Sequence, residues 1–177
     1  WRGKPRVRRW GTGMRAVRIV LLLVAALGLA ACGSKFRSYR GPDVTQILLD
    51  KSDRKMWLIG GTEVLREFDV DLGRVPVGPK AFEGDGKTPE GAYVIDRRNP
   101  NSRFHLSIGI SYPNAADVAF AEAAGKSPGG DIFIHGRSDY RGRNKGDWTE
   151  GCIAVTDREI EDIYAMVRDG TPILIRP

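Results

Sequence analysis

Beyond residue 43 the chain is written in short runs that alternate apolar and polar residues. Val44–Asp50 and Lys55–Gly61 each carry that alternation, and the polar stretch Lys51–Arg54 between them predicts a hairpin turn. Leu65–Gly73 alternates in the same way and extends the predicted sheet. Ala92–Arg98, Phe104–Ser111 and Asp131–Gly136 read as further strands, and so do the runs "GCIAV" and "TPILIRP". Two segments change to helical periodicity. Asn114–Gly125 starts with an Asn suited to an N-cap and ends at Gly. Thr156–Gly170 places Thr156 and Glu159 at capping-box spacing. Its Ile160, Ile163, Tyr164 and Val167 form one apolar face, with Arg168 in the last turn and Gly170 as the stop. The pattern predicts a mainly β domain with two helices (α+β), as a sandwich or a partly closed barrel. Val77–Ile95 begins as a Gly- and Pro-rich connection long enough either to help build a site or to be a surface excursion.

The first 31 residues follow a different rule. An apolar run from Ile19 to Ala31 follows Arg15 and Arg18, and it is shorter than a comfortable membrane span. This reads as an export signal starting at Met14, with residues 1–13 as upstream sequence translated by mistake. The run ends in Leu29-Ala30-Ala31-Cys32, which resembles the lipobox of bacterial lipoproteins. Cys32 is then the lipid attachment point, residues 32–43 a tether, and residues 44–177 the folded domain. An ordinary secretory signal or a membrane anchor are the alternatives. The expected location is the cell envelope or periplasm, lipid-anchored to a membrane. Gly33 after the cysteine is not an inner-membrane retention Asp, which leans the anchor toward an outer membrane.

Charge sharpens this division. Seven of the 28 basic residues and none of the 22 acidic ones lie in residues 1–31, so the rest of the chain is close to neutral. A nucleic-acid binder would carry its basic excess in the folded part, and that class is set aside.

The chain has two cysteines and two histidines, and one of each bounds the stretch "HGRSDYRGRNKGDWTEGC". If Cys32 carries lipid, Cys152 is left without a partner in an oxidising compartment. A buried structural thiol is one reading. A zinc site using His105, His135 and Cys152 is another, but no CxxC or HExxH spacing supports it. The third is a nucleophile and its base. An imidazole beside Cys152 favours the thiolate, and His135 ends a buried-type strand that would fix its position. Gly136 lets the chain turn away, and backbone N–H groups at Gly151 and Cys152 are candidate oxyanion donors. Between them Arg137, Arg141, Arg143 and Lys145 outnumber Asp139 and Asp147, which suits a carboxylate-rich substrate or a solvated loop.

The His135-Gly136 pair followed by Thr149-Glu150-Gly151-Cys152 resembles the catalytic motif of bacterial L,D-transpeptidases of the YkuD type. Gly84–Ile95 is similar to the family's Gly-Asp…Thr-Pro-x-Gly-x-aromatic segment. Glu150 and Ala154 depart from the common pattern, and "GCIAVTD" looks more like the branch of YafK-like proteins. The resemblance implies a YkuD-like β-sandwich acting on peptidoglycan stem peptides, with no metal and no cofactor. It implies Cys152 as nucleophile, His135 as general acid and base, Gly136 as the carbonyl that orients His135, and Gly151 as an oxyanion donor. Arg137, Thr149, Glu150 and His105 are the candidate substrate-binding residues. Glu150 could attract a protonated acceptor amine or simply face solvent, and solvent is the expectation. Transfer to an amine is expected over hydrolysis of a stem or of a lipoprotein–peptidoglycan bond. An inactive, peptidoglycan-binding lipoprotein is the reading from another class, and the chain is expected to be a monomer.

Overall fold

The computed structural model describes residue 3, residues 34–137 and residues 146–177. The export signal and Cys32 lie outside the described residues, and so do residues 138–145 of the basic loop. Phe36–Pro177 forms one compact unit.

β1 (Gln46–Asp50) and β2 (Lys55–Gly60) form the expected antiparallel hairpin, with Ile47 opposite Leu58 and Leu49 opposite Met56. These four side chains are fully buried, because a period of two sends every second residue to one face. β3 (Glu63–Asp69) pairs with β2. β4 (Gly91–Asn99), β5 (Ser107–Ile110), α1 (Ala115–Ala123), β6 (Phe133–His135), β7 (Ile153–Ala154), α2 (Asp157–Met166) and β8 (Pro172–Arg176) follow. The eight strands make one sheet in the order β3-β2-β1-β8-β4-β5-β6-β7.

Two features curl that sheet around its core. β4 pairs with β8 through Gly91–Val94 and with β5 from Ile95 onward, and a bulge between Ile95 and Arg97 bends it between the two partners. After β3 the chain leaves β2, and Asp71 exchanges backbone hydrogen bonds with Ala154 on β7, at 2.9 and 2.8 Å. The run read as the single strand Leu65–Gly73 therefore serves both edges of the sheet. The mainly β, two-helix fold expected from the sequence is the fold found.

Local chemistry sets the helix boundaries. Asn114 accepts from the N–H groups of Ala116 and Asp117, and Asp117 returns the bond. Thr156 and Glu159 form the second capping box. Ile160, Ile163 and Met166 bury the inner face of α2, while Tyr164 is only partly buried. α2 stops at Met166, short of the expected Gly170. Arg98 donates to the carbonyls of Tyr164 and Val167, which satisfies the end of the helix from β4. Arg168 thus lies beyond the helix and pairs with Asp43 at 2.8 Å. From Phe36 on, the stretch read as a tether contacts α2: Arg37 pairs with Glu161 and Asp162, and the ring of Phe36 packs near Tyr164.

Lys51, at the start of the polar hairpin turn, points inward. It is buried, and its Nζ donates to Gly78 O at 2.7 Å, Thr88 O at 3.0 Å and Glu90 at 2.7 Å. It fastens the Gly- and Pro-rich connection to the hairpin. No helix among the described residues is long and apolar enough to cross a membrane.

Candidate active site

His135 closes β6, and Cys152 immediately precedes β7. These strands run parallel, with Ile134 beside Ile153 and His135 beside Ala154. Extending that register by one residue puts Cys152 beside Phe133. Side chains two residues apart share a face, so His135 and Cys152 are diagonal neighbours on one side of the sheet. Ile134 and Ile153 fill the core on the other side. His135 and Cys152 both line a cleft of about 300 Å³.

The histidine is held on three sides. Its ring stacks on Phe104 at 4.4 Å between centroids, and Trp148 meets it edge-on at 5.8 Å. Nδ1 lies 2.6 Å from the carbonyl oxygen of Gly136. A carbonyl can only accept, so Nδ1 carries the proton and Nε2 keeps its lone pair. Burial holds the imidazole below its ordinary pKa, against the pull of that carbonyl, which keeps the ring neutral. Gly136 must be glycine for a packing reason: a Cβ there would fall 2.5 Å from Asp157 Oδ1 and 2.8 Å from Phe104 O.

Burial pushes the Cys152 thiol above its ordinary pKa. The Phe133 N–H opposes this, the Asp131 charge adds to it, and Lys80 and Arg97 pull it back. The thiol donates to Asp131 O at 3.5 Å. Both shifts favour the uncharged form, a neutral thiol near a neutral imidazole.

The connection before β4 forms the wall behind Cys152. Asp85 accepts from the N–H groups of Ala81, Phe82 and Lys87 and from Lys80 Nζ, which folds the loop into a rigid unit. That unit is pressed against Gly151, where a Cβ would lie 2.5 Å from Lys87 O at a φ of +129°. None of its residues lines the cleft, and its part in the site is to pack against the turn that carries Cys152.

Several residues singled out from the sequence do other work. The Gly151 N–H donates to Thr149 Oγ1 at 3.1 Å, so it is already engaged and does not face the cleft as an oxyanion donor. Thr149 is buried and donates to Cys152 O at 2.7 Å, which shapes the turn before the cysteine rather than contacting substrate. Arg137 pairs with Asp71 at 2.8 Å, and its N–H donates to Asp157 at 2.7 Å. Glu150 is exposed, pairs with Arg74 and is not part of the cleft lining. His105 has a φ of +73° and pairs through Nε2 with Glu161 on α2 at 2.8 Å, away from the cleft. Its reversed backbone also explains why β5 starts at Ser107 rather than at Phe104.

The cleft instead uses residues of predicted strands, such as Ser107, and residues of the gap between Arg98 and Phe104. Ser107 stands directly beside His135, and Asn99 beside Ser107. Arg103, Phe104 and Asp131 complete much of the lining. The turn-forming pairs Asn99-Pro100 and Asn101-Ser102 in "RRNPNSRF" were the available signal that a loop interrupts the strands there. Among the described residues no group of three His, Cys, Asp or Glu side chains is placed to hold a metal ion.

Comparison with known proteins agrees with this architecture. Residues 45–175 match the model of the YkuD family, the L,D-transpeptidase catalytic domain. A curated relative, "Putative L,D-transpeptidase YafK" of Escherichia coli K12, is 34% identical over 93 residues, covering 51% of this chain and 32% of that protein. The chain thus spans about a third of the length of that relative through the matched region. Among solved structures, the helical cell shape determining protein Pgp2 from Campylobacter jejuni is 25% identical with a TM-score of 0.59, covering 84% of this chain and 53% of that one. Bd1075 of Bdellovibrio bacteriovorus is 27% identical with a TM-score of 0.52, covering 79% and 50%. The family match takes in most of the compact unit, including β6, which ends at His135, and Cys152 with the strand that follows it: the chain belongs to the YkuD family of L,D-transpeptidase catalytic domains.

Proposed function

We propose that this chain is a peptidoglycan L,D-transpeptidase that works through a thioester on Cys152. The observation that supports it best is the placement of one thiol and one imidazole, the latter engaged at Nδ1 by the Gly136 carbonyl, on the same side of the sheet in one cleft. Sγ attacks the carbonyl of the residue at position three of a stem peptide, and its proton passes to Nε2 of His135. The scissile C–N bond breaks as His135 returns that proton to the leaving amine. A thioester remains; an acceptor amine attacks it, the C–S bond breaks as the new amide forms, and His135 passes the amine's proton to the released Cys152 sulfur. The Cys152 N–H is the proposed oxyanion donor, since that of Gly151 is engaged.

Incubating the purified chain with tetrapeptide muropeptides, followed by mass analysis, tests the proposal. Transfer yields cross-linked dimers or exchange of the terminal residue for an added D-amino acid. Tripeptide alone, with abundant amine present, would make the chain a hydrolase. Cys152→Ala should remove turnover with the fold intact by circular dichroism. His135→Ala should cost nearly as much, and the double variant little more, because the two act as a unit.

For location we propose export and lipidation of Cys32, from the LAAC motif. Cys32→Ser should shift the protein out of the membrane fraction or leave an uncleaved precursor. Normal processing and unchanged fractionation would refute it.

A further inference from the structure

The face that carries the catalytic pair is organised in rows across the sheet. Arg97, Gly109 and Phe133 stand side by side on β4, β5 and β6, and the register places Cys152 at the end of that row. Asn99, Ser107, His135 and Ala154 make the next row. The β4–β5 connection, residues 100–106, leaves from beyond the second row, on the side of His135 away from Cys152. A peptide whose carbonyl lies at Cys152 and whose leaving nitrogen lies at His135 must send its next atoms toward that connection. The carboxylate of the following residue lies one residue, roughly 3.5 Å, past the scissile carbonyl, so it falls beside His135 on the side of that connection.

Arg103 sits in this connection and lines the cleft. Its guanidinium lies over the ring of Phe104 at 5.1 Å, and Phe104 stacks on His135, so the arginine is tied to the base through one shared ring. It pairs with no carboxylate among the described residues. Arg97 is differently placed. It is neutralised by Asp96 at 2.9 Å and Asp131 at 3.3 Å and stacks over Phe133, in the row of the nucleophile. Among the described residues that line the cleft, the only carboxylate, Asp131, belongs to that Arg97 pair.

We propose that Arg103 binds the α-carboxylate of the leaving residue of the acyl donor. The assignment rests on the acyl-transfer reading above. In chemical terms it makes Arg103 the residue that reads the free C-terminal carboxylate of the tetrapeptide donor in that reading. A planar guanidinium suits that group, since it can offer two parallel N–H donors to the two oxygens. Pairing also sets the leaving nitrogen beside Nε2 of His135, where it needs its proton.

The test compares two donors in the purified chain: a stem-type tetrapeptide with a free C-terminal carboxylate, and the same peptide as its C-terminal carboxamide. The wild type should favour the acid by about tenfold or more in kcat/KM, mostly through KM, as expected for loss of one charge-assisted pair. In Arg103→Gln that acid-to-amide ratio should fall toward one, and Arg103→Lys should retain part of it. A role confined to supporting Phe104 and His135 would slow both donors equally and leave the ratio unchanged; that result overturns the assignment. So does a wild type that takes both donors equally well. Absence of a Cys152 thioester with either donor, read by intact mass, would instead reject the acyl-transfer reading, and this assignment with it.

Discussion

At the scale of single residues, the cleft holds a thiol and an imidazole that both resist ionisation, each because it is buried. The directions are opposite in pH. His135 in the folded chain is held below the ordinary imidazole value of about 6.5, so it remains a competent base in mildly acid solution. The acid limb of kcat/KM should therefore fall below pH 6.5. Cys152 is held above the ordinary thiol range, so its alkylation by iodoacetamide should rise only at a higher pH than a free thiol shows. Stability follows from the same shifts. The unfolded chain binds a proton at His135 more readily than the folded one, so this contribution is present above pH 6.5 and fades as pH falls. The thiol acts in reverse: its contribution is full below its unfolded pKa and is lost as pH rises. Between pH 8 and 10 the urea midpoint should decline more steeply in the wild type than in Cys152→Ala, and parallel declines would contradict the buried-thiol picture.

At the scale of elements, α2 shows how a cap and a tertiary partner divide the work of holding one helix. Its start is built from its own sequence, with Thr156 Oγ1 accepting from Glu159 N and the Glu159 carboxylate accepting from Thr156 N at 2.8 Å. Its end is satisfied by Arg98 from a distant strand. Thr156→Ala should cost about 1 kcal/mol, read by urea denaturation. The helix packs on β5 and β6, the strands of Ser107 and His135, so that loss is expected chiefly in stability. Turnover of the folded fraction should stay close to wild type. A large fall in kcat with unchanged stability would mean that the cap also sets the position of His135.

At the scale of the whole molecule, the hairpin, the connection behind Cys152 and the start of β4 are joined through one buried ammonium. The three acceptors of Lys51 come from Gly78, Thr88 and Glu90, residues spread along that connection. Lys51→Met would leave Glu90 and two carbonyls without this donor. Loss of one partner of a buried pair is far more damaging than loss of a surface pair, and we expect about 3 kcal/mol of destabilisation. Limited proteolysis should then open the connection before β4 first. Lys51→Met with Glu90→Gln should recover part of the loss, since the isolated charge is gone.

The sequence by itself determined the strands and helices whose signal is local. The alternation of Ile47 and Leu49 against Met56 and Leu58, and the capping residues Asn114 and Thr156, need no distant partner to be read. It also brought out His135 and Cys152, because two scarce residue types flank one loop and resemble a known motif. Only the tertiary structure decided which neighbours the pair has. Ser107, Phe104 and Arg103 reach the cleft through strand register and a reversed backbone at His105, and neither leaves a periodic mark in sequence. Thr149, Arg137 and Glu150 are close to the pair along the chain, yet each is drawn to another partner. Burial decided the same for Lys51, whose place in a polar turn gives no sign of the carbonyls that receive its charge. Proximity along a chain constrains a few residues at a time, whereas a cleft is assembled from strands that meet only when the sheet curls.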